Sequence, residues 1–154
     1  MIKVIVYYIA KDTYGVSSLC EEYKPLVSHF GVKIEFVNML CKNIKESQKN
    51  NEREAKRAYT QAFAKVFKNA SYKVALTPEG RSLDTFGFAE MLKEKSEIVF
   101  FIGGAYGLEQ EFLHKCDLCV SLSSLTFSHS IARIVLSEQI YRGFCLLNNH
   151  PYHK

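Results

Sequence analysis

The sequence predicts an α/β fold with a mostly parallel sheet flanked by helices. Stretches rich in β-branched and aromatic residues recur along the chain, and segments with apolar residues at helical spacing separate them. This alternation is typical of a parallel sheet with helices on its faces. Because no repeat or linker divides the 154 residues, we expect a single domain over residues 1–154.

The first elements follow from the spacing of apolar residues. Residues 2–10 are β-branched and aromatic without interruption, as in a strand that is buried on both faces. Residues 15–30 carry apolar side chains at helical spacing, and Gly31 is a plausible residue to end that helix. Residues 32–37 alternate between apolar and polar side chains and predict a second strand. The polar segment 41–51 predicts a loop.

The middle of the chain predicts two helices with a strand between them. Residues 52–68 place their apolar side chains on one helical stripe, and residues 72–76 form a third strand. The Thr-Pro-Glu-Gly segment at 77–80 predicts a turn, and a third helix then extends to about residue 95. The candidate N-caps of this helix are Ser82 and Asp84.

The strand at residues 98–102 is entirely apolar, which predicts a central position in the sheet. A glycine-rich turn at 103–107 leads from it into a short helix through residue 115. The remaining elements are a fifth strand at 118–122, a loop at 123–128 and a last helix at 128–142.

Composition narrows the classes of protein. With 47% hydrophobic and 23% charged residues, the chain has the composition of a globular protein. Its apolar runs are far shorter than the roughly 20 residues that span a membrane, and the first residues enter a strand rather than a secretion signal. We therefore expect no membrane partner. The five cysteines are too sparse for a disulfide framework, and this favours a reducing compartment, the cytoplasm.

Two pairs of possible metal ligands stand out in the sequence. Cys116 and Cys119 have C-x-x-C spacing, but there is no second such pair to complete a four-ligand zinc site, which favours buried free thiols. His150 and His153 are separated by a proline that prevents helical pairing, and no carboxylate lies nearby in the sequence. We therefore expect no metal site.

Two loops follow predicted parallel strands at the sheet edge where such sheets bind ligands. The segment 103–108 has three glycines, and the segment 122–129 is rich in serine and threonine. Each segment also has a purely structural interpretation, in which the first is a tight turn and the second caps the helix that follows it. A dinucleotide site is rejected, because the pattern is G-G-x-x-G after the fourth strand and position 123, where an acidic residue is needed, is serine.

Charge gives a weaker indication of the partner. The formal net charge is +4, which suits a polyanionic partner but is common among cytosolic enzymes. The lysine-bearing stretch 42–57 is either a solvated surface or a contact for an RNA backbone. The last seven residues contain two histidines, two asparagines, a tyrosine and a lysine, so the tail is either a solvated stub or part of a site.

Together, several segments resemble the RlmH-type 23S rRNA (pseudouridine-N3)-methyltransferases, a group within the SPOUT class. The resemblance runs over essentially the full chain. The segments that carry it are Leu76 with Glu79, Gly80 and Arg81; residues 101–108; residues 122–129 with Arg133; and residues 138–142 leading into 149–153. The resemblance implies a trefoil knot in the C-terminal half, bound S-adenosylmethionine and a homodimer. It further implies methylation of N3 of a pseudouridine in a stem-loop (helix 69) of 23S rRNA in the assembled ribosome, with RNA rather than DNA as the partner.

The resemblance also assigns residues. The implied cofactor-binding residues are Leu76, Gly103, Gly104, Leu122, Ser123, Ser124, Leu125, Thr126 and Phe127. Three positions depart from the family pattern, because Ala105 and Ser128 stand where prolines are common and Lys154 stands where arginine is common. We expect Ala105 and Ser128 to loosen the cofactor loops. We expect Lys154 to keep the positive charge but to lose the paired hydrogen bonds that an arginine side chain can donate.

The chemistry requires that N3 loses its proton at or before attack. The candidate bases are His129, Tyr152 and His153, and the candidate groups for holding phosphate or stabilising an anion are Arg133 and Arg142. Since the domain is minimal, we expect the tail to complete a partner's site across a dimer. We also expect the tail to contribute little to the core, so that truncation after Asn149 leaves the melting temperature nearly intact. Two alternatives remain, which are a SPOUT methyltransferase acting on tRNA and a non-catalytic rRNA-binding assembly factor.

Overall fold

A computed structural model of the protein describes residues 1–11 and 15–154 and confirms the predicted fold class. In these residues five parallel strands form one sheet in the order β2-β1-β4-β3-β5. The strands are β1 (Ile2–Tyr8), β2 (Val32–Asn38), β3 (Tyr72–Ser82), β4 (Glu97–Ile102) and β5 (Leu118–Ser121). The helices are α1 (Val16–Glu21), α2 (Tyr23–Ser28), α3 (Lys42–Asn50), α4 (Glu52–Ala64), α5 (Thr85–Leu92), α6 (Gln110–Lys115) and α7 (His129–Leu147).

The sheet is buried on both faces, because successive side chains of a strand point in opposite directions. Val4 and Val6 of β1 pack with Phe88 of α5 and Leu136 of α7 on one face. Ile5 and its neighbours on the other face pack with α3, α4 and α6. Strand β4 pairs with both β1 and β3 and is buried from residue 98 to 102. Its predicted central position is therefore confirmed.

The prediction of one helix over residues 15–30 is wrong in part, because α1 and α2 are separate helices. Pro25 explains the break. Its nitrogen carries no hydrogen and cannot donate to the carbonyl of Glu21, four residues earlier, where α1 ends. Helix α2 ends at Ser28, and Gly31 lies beyond the cap, in the turn that follows the helix. Its amide donates to the Ser28 carbonyl at 3.0 Å, and its φ of 71° lies in the left-handed region that favours glycine.

The prediction of a loop at residues 41–51 is wrong, because residues 42–50 form α3. Its polar composition reflects a helix with a single fully buried side chain, Ile44, and otherwise exposed or half-buried residues. Gln48 fixes the helix to α4 by accepting a hydrogen bond of 2.5 Å from the hydroxyl of Tyr59. Because these contacts involve one apolar and one polar side chain, the sequence of α3 lacks the regular spacing of apolar residues that predicts a helix.

The predicted turn at residues 77–80 lies inside β3, so that prediction is wrong as well. Leu76 and Arg81 are both in register with Val120 of β5, and the residues between them bulge out of the ladder. Gly80 is needed there, because a Cβ atom would lie 2.6 Å from the carbonyl carbon of Val120. The bulge also tolerates Pro78, which has no amide hydrogen for a ladder bond.

Helix boundaries differ from the predictions mainly at the C-terminal ends. Asp84 is the cap of α5, since its carboxylate accepts a 2.7 Å hydrogen bond from the amide of Gly87. Helix α5 ends at Leu92, before the predicted residue 95, whereas α7 continues past the predicted residue 142 because Phe144 and Cys145 extend its buried stripe. Within the described ranges, none of the helices is long and apolar enough to cross a membrane.

Candidate active site

A cleft of about 660 Å³ opens at the carboxyl ends of β3, β4 and β5. Its walls are the loop that follows β4 and the loop that joins β5 to α7, and its volume is typical of a small-molecule site. The structure brings all nine sequence-predicted cofactor residues to this one cleft. They are Leu76, Gly103, Gly104, Leu122, Ser123, Ser124, Leu125, Thr126 and Phe127. His129 lines the cleft as well.

The glycines of the first loop make room for other protein atoms. A Cβ atom on Gly103 would lie 3.0 Å from Cγ of Leu108 and 3.1 Å from the carbonyl oxygen of Gly107. A Cβ atom on Gly104 would overlap the hydroxyl end of the Tyr59 ring. Gly107 has a φ of 79°, and its amide donates a 3.1 Å hydrogen bond to the Gly104 carbonyl. These glycines therefore close the loop on itself and on α4.

Tyr59 supports the glycine loop, and the sequence did not single out this residue. Its side chain is fully buried between α4 and the glycine loop, and it bridges the loop to Gln48 of α3. Burial raises the pKa of the Tyr59 phenol above its ordinary value, although hydrogen bonds with the backbone of Tyr106 and Ala105 oppose this. In the sequence the only signal is the position of Tyr59 on the apolar stripe of α4.

The second loop is held by its own serines. The Ser121 hydroxyl donates to the carbonyl of Ser123 at 2.9 Å, and the Ser123 hydroxyl accepts from the amide of Leu125 at 3.0 Å. Ser128 caps α7 by accepting from the amide of Ile131 at 3.3 Å, a bond that proline at this position would lack. The side chain of Leu125 is left 73% exposed beside the cleft, an uncommon position for leucine.

His129 stands at the start of α7 with its side chain half-buried. Burial, and secondarily the positive charge of Arg133, lowers the pKa of the His129 imidazole below its ordinary value of 6.5. The ring is therefore neutral at neutral pH. A neutral imidazole at the cleft has a free nitrogen that can accept a proton.

Arg133 lies in the interior, with only 1% of its surface exposed. Its guanidinium packs 3.9 Å from the ring centroid of Tyr8, and its three nitrogens have no hydrogen-bond partner among the described residues. Arg133 is not among the residues that line the cleft. Its positive charge contributes to the lowered pKa of the His129 imidazole, and its role toward a phosphate or an anion stays a prediction.

Arg142, Tyr152 and His153 form a second group with Glu138, here named the tail cluster. Arg142 donates to Oε1 of Glu138 at 2.6 and 2.9 Å, and the Tyr152 hydroxyl donates to the same oxygen at 3.1 Å. Nη1 of Arg142 lies 3.1 Å from Nδ1 of His153. Burial and then Glu138 raise the pKa of the Tyr152 phenol. None of these four side chains lines the cleft.

The tail lies outside the hydrophobic core, as expected, but it makes aromatic contacts with its own chain. His150 stands edge-on to Phe30 with 5.7 Å between ring centroids. Tyr152 lies 4.7 Å from Tyr141, and His153 stands edge-on to Phe86 at 5.2 Å. Aromatic pairs at these distances are stabilising.

A smaller cavity of about 420 Å³ lies between the two groups of residues. It shares five lining residues with the cleft and extends to Gln139 of α7; the shared residues are Val120, Ser121, Leu122, Ser123 and Phe127. The Gln139 amide donates to Oε2 of Glu138 at 2.8 Å, so the wall of this cavity ends at the tail cluster. The loop that joins β5 to α7 therefore lies next to both the cleft and the tail cluster.

The two thiols of the C-x-x-C pair donate to helix carbonyls. The Sγ atom of Cys116 lies 3.6 Å from the carbonyl of Phe112, and that of Cys119 lies 3.4 Å from the carbonyl of Leu113. Burial raises the pKa of the Cys116 thiol to about 12. At neutral pH this thiol is protonated, and a protonated thiol is neither a good nucleophile nor a metal ligand.

A parallel α/β sheet with a cleft at the carboxyl ends of adjacent strands defines a small-molecule-binding α/β protein. A family model described as "Predicted SPOUT methyltransferase" matches residues 2–153, and the chain belongs to this family of methyltransferases. The class predicted from the motifs is thereby confirmed. The family implies a knot in the C-terminal half and a methyl donor for the reaction.

Full-length relatives agree with this membership. The chain is 44% identical over 156 residues to the "Ribosomal RNA large subunit methyltransferase H" of Wolinella succinogenes, with 99% of each chain covered. It is 41% identical over 153 residues to the protein of that name from Aliarcobacter butzleri, again with 99% of each covered. The similarly named protein of Nitratiruptor sp. is 41% identical over 155 residues and is covered completely.

Proposed function

We propose that this protein transfers a methyl group from S-adenosylmethionine to N3 of a pseudouridine in the helix 69 stem-loop of 23S rRNA. It does so in the cytoplasm, as a homodimer, on the assembled ribosome. The observation that carries the proposal is the convergence of the nine expected cofactor residues and His129 on one cleft. The names of the full-length relatives point to large-subunit rRNA as the substrate.

The cleft fits the proposed cofactor in size and in chemistry. Leu76, Leu122, Leu125 and Phe127 offer apolar surface for an adenine ring, and the two loops offer backbone amides and carbonyls for its polar edge. The rim carries charge of both signs in Lys56 and Glu79, which suits the amino and carboxyl groups of the methionine part. When bound, S-adenosylmethionine supplies an electrophilic methyl group on a sulfonium.

Within this proposal the residues position groups and move one proton. His129 takes the proton from N3, because its imidazole is neutral and lies in the cleft. Arg142, oriented by Glu138, stabilises the negative charge that develops on the base. Tyr152 and His153 fix the orientation of Arg142, with the Tyr152 ring 4.6 Å from its guanidinium carbon.

The separation of the cleft from the tail cluster supports a composite site. In the part of one chain that the structure describes, only the smaller cavity, and not the cleft itself, reaches the tail cluster. A second chain that sets its tail cluster over the cleft brings both groups to one nucleotide. A two-fold homodimer does so twice, since both subunits present the same surface. We therefore assign the cleft of a working site to one subunit and the tail cluster to its partner.

The test is methyl transfer to ribosomes from a strain that lacks the gene. With labelled S-adenosylmethionine, we expect one methyl group per ribosome, recovered as 3-methylpseudouridine in mass spectra of 23S rRNA nucleosides. An isolated stem-loop should be a poor substrate. Label in tRNA would favour the alternative of a tRNA-directed SPOUT enzyme. Tight ribosome binding without transfer, and without cofactor binding in a calorimeter, would favour a non-catalytic assembly factor.

A further inference from the structure

The helical hairpin of α3 and α4 carries most of the protein's excess positive charge. Residues 42–57 contain six lysines and arginines and three glutamates, a net charge of +3 out of +4 for the whole chain. Five of these cations are exposed, and among the described residues none of the five forms an ion pair. These five, here named the cationic hairpin, are Lys42, Lys45, Lys49, Arg53 and Arg57.

The helix spacing arranges these charges in a row. Lys42, Lys45 and Lys49 are three and four residues apart, so they follow one face of α3 over about 10 Å. The opposite face holds Ile44, which is fully buried, and Gln48. The lysine ammonium groups are therefore directed away from the core into solvent.

Hydrogen bonds within and between α3 and α4 hold the hairpin in one arrangement. Asn51 caps α4 by accepting a 2.9 Å hydrogen bond from the amide of Glu54, and Asn50 donates to the Glu54 carboxylate at 2.8 Å. The bond between Tyr59 and Gln48 joins the two helices. Cations on such a frame lose less conformational entropy when they bind a partner than cations on a loose loop.

The hairpin also adjoins the cleft. Lys56, which pairs with Glu52 at 3.0 Å, lines the cleft, and Tyr59 packs against Gly104 of the cofactor loop. Arg53 precedes Lys56 by one turn of α4. A nucleotide that receives the methyl group from a cofactor in the cleft lies at the mouth of the cleft, and its flanking phosphates then lie near the rim at Lys56. This placement favours RNA over an acidic protein as the partner.

We propose that the cationic hairpin binds backbone phosphates of the rRNA strand that flanks the target nucleotide. This inference rests on the proposed function, because it takes the nucleotide that receives the methyl group at the mouth of the adjoining cleft to belong to rRNA. Phosphate contacts give affinity that depends steeply on salt and position the strand without reading its sequence. The hairpin would thus act in RNA binding and leave the methyl-transfer step to other residues.

The test compares two triple variants of equal charge. The hairpin variant is Lys42→Gln, Lys45→Gln and Lys49→Gln. The control variant is Lys65→Gln, Lys68→Gln and Lys115→Gln. The control lysines are exposed as well, but they lie where α4 and α6 end, at the opposite end of the sheet from the cleft. Glutamine has nearly the helix propensity of lysine, so both variants should fold. Binding to ribosomes is measured as a function of KCl concentration.

For the hairpin variant we expect the slope of log K against log salt to fall by about 2–3 units, roughly one per lost phosphate contact. The KM for ribosomes should rise about tenfold or more, while the affinity for S-adenosylmethionine does not change. The control should match the wild type. A hairpin variant with the salt slope and KM of the control would overturn the inference, as would a variant that loses affinity for heparin but not for ribosomes.

The binding measurement separates this inference from the proposed function. A wild type that binds ribosomes but transfers no methyl group would refute the proposed function, and the hairpin would still be judged by its salt slope. A wild type that does not bind ribosomes at all would overturn the hairpin inference directly.

Discussion

At the level of single residues, some residues that line the cleft are required by contacts within the protein, whereas others are not. Gly103 and Gly104 are required by protein contacts, with Leu108 and Gly107 in one case and with Tyr59 in the other. Replacing Gly103 by valine would therefore disturb the loop whether or not a cofactor binds. Ala132 is different, because it lines the cleft from within α7 and belongs to neither loop.

Ala132→Leu should lower the affinity for S-adenosylmethionine by about tenfold or more, because the added side chain occupies cleft volume that the cofactor needs. Leucine is a good helix former, so the melting temperature should stay close to that of the wild type. Calorimetric titration with the cofactor checks this result, with Ala64→Leu at the exposed end of α4 as the control. Unchanged cofactor affinity in a folded Ala132→Leu protein would show that the cofactor binds elsewhere.

The pH dependence of the reaction should report His129. If this imidazole accepts the N3 proton, kcat/KM should fall about tenfold per pH unit below its pKa, which burial and Arg133 hold below 6.5. Since the unfolded chain has the higher pKa, His129 also contributes stability that is present above 6.5 and lost as the pH falls through the lowered value. In His129→Gln the acid limb should disappear. An identical acid limb in this variant would exclude His129 as the base.

At the scale of elements, the tail is part of the packed structure. Truncation after Asn149 removes the aromatic pairs of His150 with Phe30 and of Tyr152 with Tyr141, which should cost about 1–3 kcal/mol in total. The melting temperature should therefore drop by several degrees, roughly 2–4 °C for each kcal/mol in a chain of this size. Thermal unfolding followed by circular dichroism measures this. A truncated protein that melts like the wild type would show that the tail contacts do not contribute to stability.

Tyr152→Phe separates stability from catalysis in the same element. The ring keeps its packing on Tyr141, while the hydroxyl that donates to Glu138 is lost. We expect a melting temperature near that of the wild type and a kcat lowered by about tenfold or more, because Glu138 and Arg142 lose part of their fixed geometry. Tyr72→Phe, at a half-buried tyrosine where β3 begins and away from the cleft and the tail cluster, is the matched control. Wild-type kcat in Tyr152→Phe would limit the hydroxyl to a structural role.

The same elements show how far sequence reasoning extends. The apolar strand β4, the helix end near Gly31 and the cap at Asp84 were predictable, because each depends on a local pattern. Helix α3 was not, since its place in the fold depends on one buried isoleucine and on the bond between Gln48 and Tyr59. The two loops that wall the cleft were predictable from their glycines and serines, and their role in cofactor binding stays a prediction. The burial of Arg133, in contrast, follows only from the packing of α7 on β1.

At the scale of the whole molecule, the candidate catalytic residues fall into two places on one chain. His129 lies in the cleft, while Arg142, Tyr152 and His153 gather around Glu138 beyond the loop that follows β5. The proposed working site combines the cleft of one subunit with the tail cluster of its partner. The expected dimer is therefore part of the chemistry as well as of the stability.

Mixing two impaired variants, at a cofactor concentration well below the Kd of Ala132→Leu, tests this composite site. One is Ala132→Leu, with a blocked cleft and an intact tail, and the other is Tyr152→Phe combined with His153→Ala, with an intact cleft and a disabled tail. After subunit exchange, verified by mass spectrometry of the intact dimers, mixed dimers should have one working site. We predict recovery of about a quarter of the wild-type methyl-transfer rate, since half of the randomly exchanged dimers are mixed. A mixture that stays inactive despite proven exchange would show that each tail serves its own chain, and it would contradict the composite site.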